Sequence, residues 1–423
     1  MFKNEVSEFI YKRTYSRWLD EEKRREDWPE TIERLIDFLI LKRPDIPDKT
    51  INKIRKYMSE FAVMPSMRFL WAAGPAAEFD NTCIYNCAFG KINTVEAFAE
   101  CLYILMCGTG FGFSVEKEEV EKLPKIPVIK SALGNEKIPI FDSKAGWADS
   151  VKMLMNNLYD GQNVYFDYSL IRPEGARLNT MGGRASGPAP LIKLHDFIRE
   201  TMHNAQGRQL TTLEAHDICN QIAEIVVVGG VRRSSQISLS DLGDTDMRHA
   251  KEWPYPIKRA MANNSAIYRE KPSAGEFLKE WAALALSGTG ERGIFNLDAA
   301  QKKAPSRRYA PLIQGTNPCG EIMLRDMEFC NLSEVVVRAE DDLDTLLDKV
   351  ETATWLGVIQ STFTYFPYLR ESWKKNCDVE RLLGVSLTGQ MDNHSLLTSE
   401  CLTALKSRVL RISRKAAKVL GVN

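Results

Sequence analysis

The chain has 423 residues, with hydrophobic residues at 44% and charged residues at 26%, which are ordinary values for a soluble globular protein. Its 56 basic and 56 acidic residues cancel, so no net field attracts nucleic acid and an anionic ligand must be held by local groups. No apolar run reaches the roughly 18 residues that span a bilayer, and the charged start MFKNE lacks a signal-peptide core. The composition therefore predicts a cytoplasmic protein without a membrane or nucleic-acid partner.

Nine cysteines are scattered along the chain, an odd number that argues against the disulfide framework of a small secreted protein. Neither close pair, Cys83 with Cys87 or Cys101 with Cys107, has the CxxC spacing. Five histidines without a cysteine at ligand spacing predict no structural metal site. Most of the cysteines are therefore expected to be buried thiols, with a few reactive ones among them.

Apolar residues at helical spacing predict a helical N-terminal region over residues 1–62. Short apolar runs bounded by Gly, Pro and Asn then predict strands near 69–71 and 83–89. Further helices are predicted at 95–106, 142–159, 191–206, 212–228, 273–286 and 397–420, and short strands at 163–168 and 294–297. Long helices between short buried strands favour an α/β fold with parallel strands, here over 63–423.

Two connecting segments have a distinctive composition. Residues 116–141 are rich in Lys, Pro and Ile and are predicted to be a surface excursion. The glycines of GTGFG at 108–112 let a backbone approach a ligand closely, although a turn at the end of a strand explains this short pattern equally well.

The most distinctive local pattern is GTNPCGEI at 315–322, followed by EFCNL at 328–332. Asn-Pro and Cys-Gly are turn-formers, so a tight turn accounts for the first segment on local grounds. In an extended conformation, by contrast, Asn317, Cys319 and Glu321 would project to one face because side chains alternate along a strand. A thiol, a hydrogen-bond donor and a general base would then face one substrate.

These segments resemble, in sequence and spacing, the catalytic chains of ribonucleotide reductases, above all the adenosylcobalamin-dependent ribonucleoside-triphosphate reductases. Collinear similarity runs from about residue 11 to about residue 421. The other matching segments are YKRTYSRWL at 11–19, PSMRFLW at 65–71, GFGFSV at 110–115, RPEGAR at 172–177, GGRASGP at 182–188, GVRRS at 230–234, ANNS at 262–265 and GIFNLD at 293–298.

The resemblance implies a role for each residue of the cysteine motif. Cys319 would become the thiyl radical that abstracts the 3′ hydrogen of the ribose, because an S–H bond is weak enough to give and recover a hydrogen atom. Glu321 would take the proton of the 3′-hydroxyl, and Asn317 would hydrogen-bond the ribose and its intermediates. Cys87 and Cys330 would supply two electrons by forming a disulfide as the 2′-hydroxyl leaves as water.

Alternatives to this assignment come from the cysteines themselves. Taken singly, Cys87 or Cys330 is expected to be a buried apolar thiol. Cys83 rivals Cys87, but the family pattern places the cysteine directly after Asn86. The remaining cysteines are predicted to be structural: Cys101, Cys107, Cys219, Cys377 and Cys401. The assignment requires folding to gather sulfurs 87, 319 and 330 around one sugar, with the thiol at 319 turned away from water.

The resemblance also implies substrate and effector residues. Ser66 and Asn86 match positions near the substrate, and Gly110 and Gly112 would permit its close approach. Two loops, 175–188 and 229–236, match those that report a bound deoxynucleotide effector to the active site. Four side chains on them are candidates: Arg177 and Arg184 for effector phosphates, and Arg232 and Gln236 as relays. Ordinary surface arginines on mobile loops are the alternative.

The implied fold is a ten-stranded α/β barrel made of two antiparallel halves, each a five-stranded parallel sheet, with Cys319 on a central loop. The implied cofactor is adenosylcobalamin, on resemblance alone, since no residue is identified as a cobalt ligand. The rival is a chain that takes its radical from a separate metal-containing subunit. The implied partners are a ribonucleotide, a deoxynucleotide effector and a thioredoxin-like reductant.

The resemblance breaks off at KVLG, 418–421, before the phosphate-binding PSGT segment, the last barrel strands and the C-terminal cysteine pair of full-length catalytic chains. A truncated gene, a partial sequence, or a split gene completed by a second chain would each account for this. The polypeptide alone is expected to be inactive or nearly so, and a non-catalytic nucleotide-binding half is a further alternative. Because 116–141 is shorter than in the monomeric triphosphate reductases, monomer and dimer both stay open, as do diphosphate and triphosphate substrates.

Overall fold

The computed structural model describes residues 2, 4–130, 137–178, 184–226 and 234–422. The helices are α1 (Glu5–Thr14), α2 (Trp28–Lys42), α3 (Asp48–Ser59), α4 (Met67–Ala72), α5 (Pro75–Phe79), α6 (Val95–Met106), α7 (Lys117–Val120), α8 (Lys144–Tyr159), α9 (Ala189–Asn204), α10 (Thr212–Val226), α11 (Thr245–Arg248), α12 (Ala274–Ser287), α13 (Leu297–Lys303), α14 (Leu343–Ser361), α15 (Glu371–Glu380) and α16 (Ser399–Val419). Within these ranges, no helix is long and apolar enough to cross a membrane.

The strands are mostly short. They are β1 (Trp18–Leu19), β2 (Arg24–Arg25), β3 (Val63–Met64), β4 (Cys87–Lys91), β5 (Gly110–Ser114), β6 (Lys137–Pro139), β7 (Tyr165–Asp167), β8 (Gln236–Asp241), β9 (Ala262–Tyr268), β10 (Gly293–Asn296), β11 (Ile313–Thr316), β12 (Met323–Arg325), β13 (Glu328–Cys330), β14 (Leu332–Val336) and β15 (Gly384–Thr388). Helices and strands alternate along the chain, which confirms the predicted α/β class.

The described residues form two compact units. The terminal unit takes its residues from 1–86 and 329–423, and the central unit from 87–179 and 183–328. The domain boundary at residue 62, drawn from the sequence, stays a prediction.

The N-terminal part of the terminal unit is helical, as its apolar spacing predicts. Helix α2 begins at a capping box in which Asp27 and Glu30 each accept a hydrogen bond from the other's backbone N–H. Its apolar face, including Leu35 and Ile36, is fully buried. In the rest of this unit, β14 pairs with β15 in parallel and with β3 in antiparallel orientation.

One predicted strand is absent, and a second is right only in its last residues. Residues 69–71 belong to helix α4, and Asn81–Ile84 form a 3-10 helix, so the predicted second strand begins only at Cys87. The hydroxyl of Ser66 accepts a hydrogen bond from the Phe69 N–H at 3.1 Å, which starts α4. A short apolar run cannot distinguish a buried strand from a buried helical turn, and here the capping serine decides.

The central unit is built on parallel strands. Five of its strands lie side by side in the order β10-β9-β8-β5-β4, and each neighbouring pair is parallel. Helices α6 and α10 connect successive strands and pack on each other. The register places Cys87 opposite Gly110 and Phe111 opposite Gln236. This is the arrangement that the family resemblance implies for one half of the barrel.

The segment after β5 is more buried than the sequence predicts. Over 117–130, Val120, Leu123, Ile126 and Ile129 recur at every third position, and each has at most 8% of its surface exposed. The Ile126 N–H donates to the Arg208 carbonyl at 2.9 Å. The predicted surface excursion is therefore a packed connection in this part, because its apolar residues share one side.

A buried carboxylate ties α12 to the central sheet. Glu280 is 6% exposed and accepts hydrogen bonds from Arg292 at 2.8 and 3.0 Å and from Arg248. Burial alone would raise the pKa of Glu280, but the bonds from Arg292 and Arg248 hold it below its ordinary value of 4.5.

The lowered pKa of Glu280 predicts an acid-sensitive contribution to stability. A carboxylate whose folded pKa is depressed stabilises the protein above its unfolded pKa, and this contribution is lost as the pH falls through the folded value. We expect Glu280→Gln to lower the free energy of unfolding at neutral pH. The difference in this free energy between the variant and the unsubstituted chain should become smaller below about pH 4.5. Urea unfolding at a series of pH values measures this difference; a difference that stays constant contradicts the ion-pair account.

Candidate active site

The cysteine motif forms the tip of a β-hairpin in the central unit. Strands β11 and β12 pair antiparallel, and residues 317–322 connect them in a turn. Gly320 has a φ of +86°, in the left-handed region that glycine adopts without strain. The local turn interpretation of the sequence is therefore confirmed, and the extended alternative is wrong.

The turn nevertheless brings the amide and the carboxylate of the motif together. Asn317 is fully buried, and its Nδ2 donates a hydrogen bond to Glu321 Oε1 at 2.8 Å. Its Oδ1 accepts from the Ile322 N–H at 2.9 Å. The Thr316 hydroxyl donates to the Ile322 carbonyl at 3.0 Å and closes the base of the turn. Asn317 thus fixes both the hairpin and the position of the carboxylate.

Removal of the Asn317 amide should loosen this turn. In Asn317→Ala the Ile322 N–H and the Glu321 carboxylate each lose their partner, which costs about 1–3 kcal/mol when the group left behind is shielded from water. We expect faster hydrogen exchange at the Ile322 amide, measured by NMR or mass spectrometry, with little change in α16. Unchanged exchange at Ile322 would show that the side chain does not hold the turn.

Cys319 lies at the tip of the hairpin and is exposed. A Cβ added to the neighbouring Gly320 would have no heavy atom within 4 Å, so there is open space at the glycine that follows Cys319. The thiol is therefore accessible, and the shielding from water that the sequence analysis requires is not provided by the described residues.

Two glycines allow the hairpin to lie directly on the sheet. A Cβ added to Gly112 in β5 would be 2.1 Å from the Thr316 carbonyl oxygen, and one added to Gly315 would be 2.1 Å from the Phe89 ring. Real Cβ atoms do not come this close to other heavy atoms. The close approach that glycine permits at position 112 is thus to the backbone of the protein's own hairpin. Gly112 thus supports the hairpin that carries Cys319. Contact of Gly112 with a substrate stays a prediction.

Cys87 is the first residue of β4, the strand next to β5. It is 5% exposed and lies opposite Gly110 of β5. Its rival Cys83 belongs to the terminal unit and is buried with its thiol donating to the Asp80 carbonyl at 3.0 Å. The central unit therefore holds Cys87, Gly110, Gly112 and the hairpin residues predicted for catalysis.

The remaining candidates for substrate and electron transfer belong to the terminal unit. Cys330 ends β13 and is 1% exposed. The Ser66 hydroxyl caps α4 and also donates to the Ile84 carbonyl at 3.2 Å. The Asn86 Oδ1 is buried and has no hydrogen-bond partner among the described residues. The gathering of sulfurs 87, 319 and 330 around one sugar stays a prediction.

The two ends of the first candidate effector loop meet in an isolated antiparallel bridge. Arg177 and Arg184 face each other in an antiparallel bridge, and both side chains are exposed. Arg184 Nη1 donates to the Gly175 carbonyl at 2.9 Å. Residues 179–183 lie outside the described part of the chain. The described ends of the loop therefore carry two exposed arginines at bridge-paired positions.

Of the second effector loop the structure describes only residues 234–236, and Arg232 lies outside the described residues. Gln236 opens β8 and is 2% exposed. Its Nε2 donates to the Cys101 sulfur at 3.4 Å, while its Oε1 is buried without a partner within the described ranges. If Gln236 transmits effector binding to the active site, it does so from within the core. This role stays a prediction.

The five cysteines predicted to be structural are all buried. Cys107 has a neighbour that the sequence analysis missed: the Lys144 Nζ donates a hydrogen bond to its sulfur at 3.1 Å. These residues are 37 positions apart, so no local pattern predicts the contact. Across the described residues, no group of three or more His, Cys, Asp or Glu is placed to hold a metal ion.

Three family models match consecutive parts of the chain. The ribonucleotide reductase alpha domain matches residues 1–75, the insertion domain of B12-dependent ribonucleotide reductase matches 131–202, and the ribonucleotide reductase barrel domain matches 230–400. The insertion-domain match contains α8, most of α9, and both Arg177 and Arg184.

Curated relatives include the adenosylcobalamin-dependent ribonucleoside-triphosphate reductases of Lactobacillus acidophilus, at 28% identity, and Lacticaseibacillus paracasei, at 29% identity. Each match covers 92% of this chain. The chain spans 62% and 61%, respectively, of the length of these relatives.

Solved structures show the same fold. A B12-dependent (class II) ribonucleotide reductase matches with a TM-score of 0.84 and 24% identity over 98% of this chain and 71% of its own. The alpha subunit of the Actinobacillus ureae class Id ribonucleotide reductase matches with a TM-score of 0.60 and 15% identity, over 99% of this chain and 68% of its own. These structures confirm the predicted fold class. The family models and the curated relatives confirm the motif resemblance: the chain belongs to the ribonucleotide reductase family.

Proposed function

We propose that the chain is the catalytic part of a cytoplasmic ribonucleoside-triphosphate reductase, which converts ribonucleotides to 2′-deoxyribonucleotides for DNA synthesis. The proposal rests on the arrangement of three side chains at the tip of the hairpin. The tip presents the Cys319 thiol, with the Asn317–Glu321 hydrogen bond of 2.8 Å beside it. A hydrogen-atom donor and a proton acceptor are thus held on one short, braced turn.

The proposed chemistry divides between the residues of this turn. Cys319 takes the 3′ hydrogen atom of the ribose and returns it at the end of the reaction. Glu321 accepts the proton of the 3′-hydroxyl, and the Asn317 amide keeps the carboxylate in place and offers its second N–H to the sugar. Because an open thiyl radical would react with solvent components, the proposal requires that the exposed tip is covered during turnover.

The electrons come from a thiol pair in this proposal. Cys87 and Cys330 each lose a hydrogen atom equivalent and form a disulfide as the 2′-hydroxyl departs as water. An external thioredoxin-like dithiol then restores the thiols by exchange. The Asn86 Oδ1, next to Cys87 in the chain, has no hydrogen-bond partner in the described part of the chain and is a buried acceptor suited to a ribose hydroxyl.

We assign adenosylcobalamin as the cofactor, which is the cofactor in the names of the relatives. The described residues fit it in one respect, because Cys319 is exposed at the tip of the hairpin and the position of a Cβ on Gly320 is open. When bound, the cofactor supplies an organic radical that can take a hydrogen atom from a thiol. This chain contributes the thiol and its placement, and Cys319 and Gly320 would face the group.

A deoxynucleotide effector is proposed for the loop that carries Arg177 and Arg184. The two arginines are paired across an isolated backbone bridge, and guanidinium groups bind phosphate oxygens bidentately, so a phosphate could bind between them. Effector and substrate affinities must then be coupled in both directions. A complementing chain that covers the remaining length of the relatives is a further proposed partner.

Product formation tests the proposed function. The chain is incubated with CTP or ATP, adenosylcobalamin and a dithiol, once alone and once with a polypeptide covering the part of the relatives that it does not match. We expect deoxynucleotide only with adenosylcobalamin and, if the chain is a half enzyme, only with the second polypeptide. Product that depends on a separate metal-containing subunit supports the rival radical source. Nucleotide binding without product under every condition supports a non-catalytic half.

A further inference from the structure

A lysine and a cysteine without a role in the proposed reaction are in contact at the end of α6. Cys107 follows the last residue of this helix, and its backbone N–H still bonds to the Tyr103 carbonyl. Lys144 opens α8, and its Nζ donates to the Cys107 sulfur at 3.1 Å while lying 5.3 Å from the centre of the Tyr103 ring. The contact therefore joins two elements that are distant in the sequence.

The surroundings of this contact suit a reaction between the two groups. Cys107 is fully buried, whereas Lys144 is half-buried, so the lysine is the more exposed member of the pair. Contact with an ammonium stabilises the anionic form of a thiol, which is the form that attacks an oxidant. The long, flexible stem of a lysine allows its nitrogen to move onto the sulfur without movement of the helix.

We propose that Cys107 and Lys144 form a covalent sulfur–nitrogen link when the protein meets a peroxide. The thiolate sulfur attacks one peroxide oxygen, which gives a sulfenic acid and releases hydroxide. The hydroxide takes a proton from the Lys144 ammonium and becomes water. The freed amine attacks the sulfenic sulfur, the S–N bond forms and a second water leaves. Sulfur is oxidised by two electrons, and the peroxide is reduced by two.

The link would restrain the start of β5, the strand on which the hairpin lies. Cys107 is followed by Gly108, which has a φ of +80°, and the chain then enters β5, where Gly110 lies opposite Cys87 and Gly112 lies under Thr316. A covalent bond to α8 fixes the start of this strand. Two external thiols reverse it, because they regenerate the cysteine and the amine and leave as a disulfide. The link between Cys107 and Lys144 is thus a reversible modification that depends on peroxide.

Mass spectrometry tests the link on the whole chain and needs no turnover. The protein is treated with hydrogen peroxide, its remaining thiols are alkylated under denaturing conditions, and it is digested with trypsin. We expect the peptide containing Cys107 joined to the peptide containing Lys144, two hydrogen atoms lighter than the two together, with no cleavage after Lys144. Fragment ions must locate the bond at Cys107 and not at Cys101, and a dithiol must remove it.

Matched variants separate this link from general oxidation. Lys144→Arg keeps the charge but lacks a nucleophilic amine, so the linked peptide should disappear and Cys107 should be recovered as its sulfinic acid or alkylated thiol. Lys152→Arg changes another lysine of α8, which pairs with Glu96, and should leave the link in place. Absence of the linked mass from the peroxide-treated unsubstituted chain overturns the proposal, and so does its persistence in Lys144→Arg. Neither outcome depends on whether the chain reduces ribonucleotides.

Discussion

Cys319→Ser is expected to abolish deoxynucleotide formation by the complete enzyme. An O–H bond is much stronger than an S–H bond, so a serine at the tip of the hairpin cannot give up a hydrogen atom to start the reaction. Loss of a group that takes part directly in the chemistry reduces turnover by several orders of magnitude, here on the order of 10⁴-fold or more. The measurement is the rate of deoxynucleotide release from a ribonucleoside triphosphate.

The position of Cys319 makes this variant easy to interpret. Because its side chain is exposed, the serine should leave the free energy of unfolding within about 0.5 kcal/mol of the original value. Cys401→Ser serves as the control, since Cys401 is a buried cysteine of α16 without a role in the reaction. If Cys319→Ser still forms deoxynucleotide, Cys319 is not the radical residue. This conclusion does not depend on the result for Cys401→Ser.

Gly112→Ala is expected to displace the hairpin. The new methyl group would be 2.1 Å from the Thr316 carbonyl oxygen, a backbone atom that cannot rotate away, so β11 must move from the sheet. Overpacking of this kind costs about 1–3 kcal/mol of stability. A shift of about 1 Å in a reacting group lowers turnover by roughly 10²-fold. Urea unfolding and the deoxynucleotide assay measure the two effects.

A second glycine controls for the effect of an added methyl group. Gly275 lies in the first turn of α12, and a Cβ there would have no heavy atom within 4 Å. Alanine is a better helix former than glycine, so Gly275→Ala should stabilise the chain by up to about 1 kcal/mol. If Gly112→Ala matches this control in stability and turnover, the hairpin does not rest on β5 as described.

The sequence predicted the parts of the fold that depend on periodic apolar residues. Helices α8, α10 and α16 lie within a few residues of their predicted bounds, because each has a long apolar face. Residues 69–71 form a helix where a strand is predicted, because a short apolar run has no period and the Ser66 cap favours a helix start. The packed segment after β5 was missed for a related reason: an apolar residue at every third position in a loop resembles no regular element.

The candidate site was predicted in its residues but not in its geometry. The motif pointed to Asn317, Cys319 and Glu321, yet the turn that joins them depends on hydrogen bonds that a sequence does not display. Gly112 supports the hairpin through its close approach to Thr316, and these two residues are about 200 positions apart in the sequence. Long-range pairs of this kind, including Cys107 with Lys144, depend on tertiary packing and not on local propensity.

The most direct test of the central claim is the fate of sulfurs 87 and 330 in a single turnover. The complete enzyme, with its cofactor, is given a ribonucleotide but no external reductant, then denatured in an alkylating agent and mapped by mass spectrometry. We predict one Cys87–Cys330 disulfide for each deoxynucleotide formed, and none in Cys319→Ser. Deoxynucleotide formed while both cysteines are recovered as alkylated thiols would contradict the account.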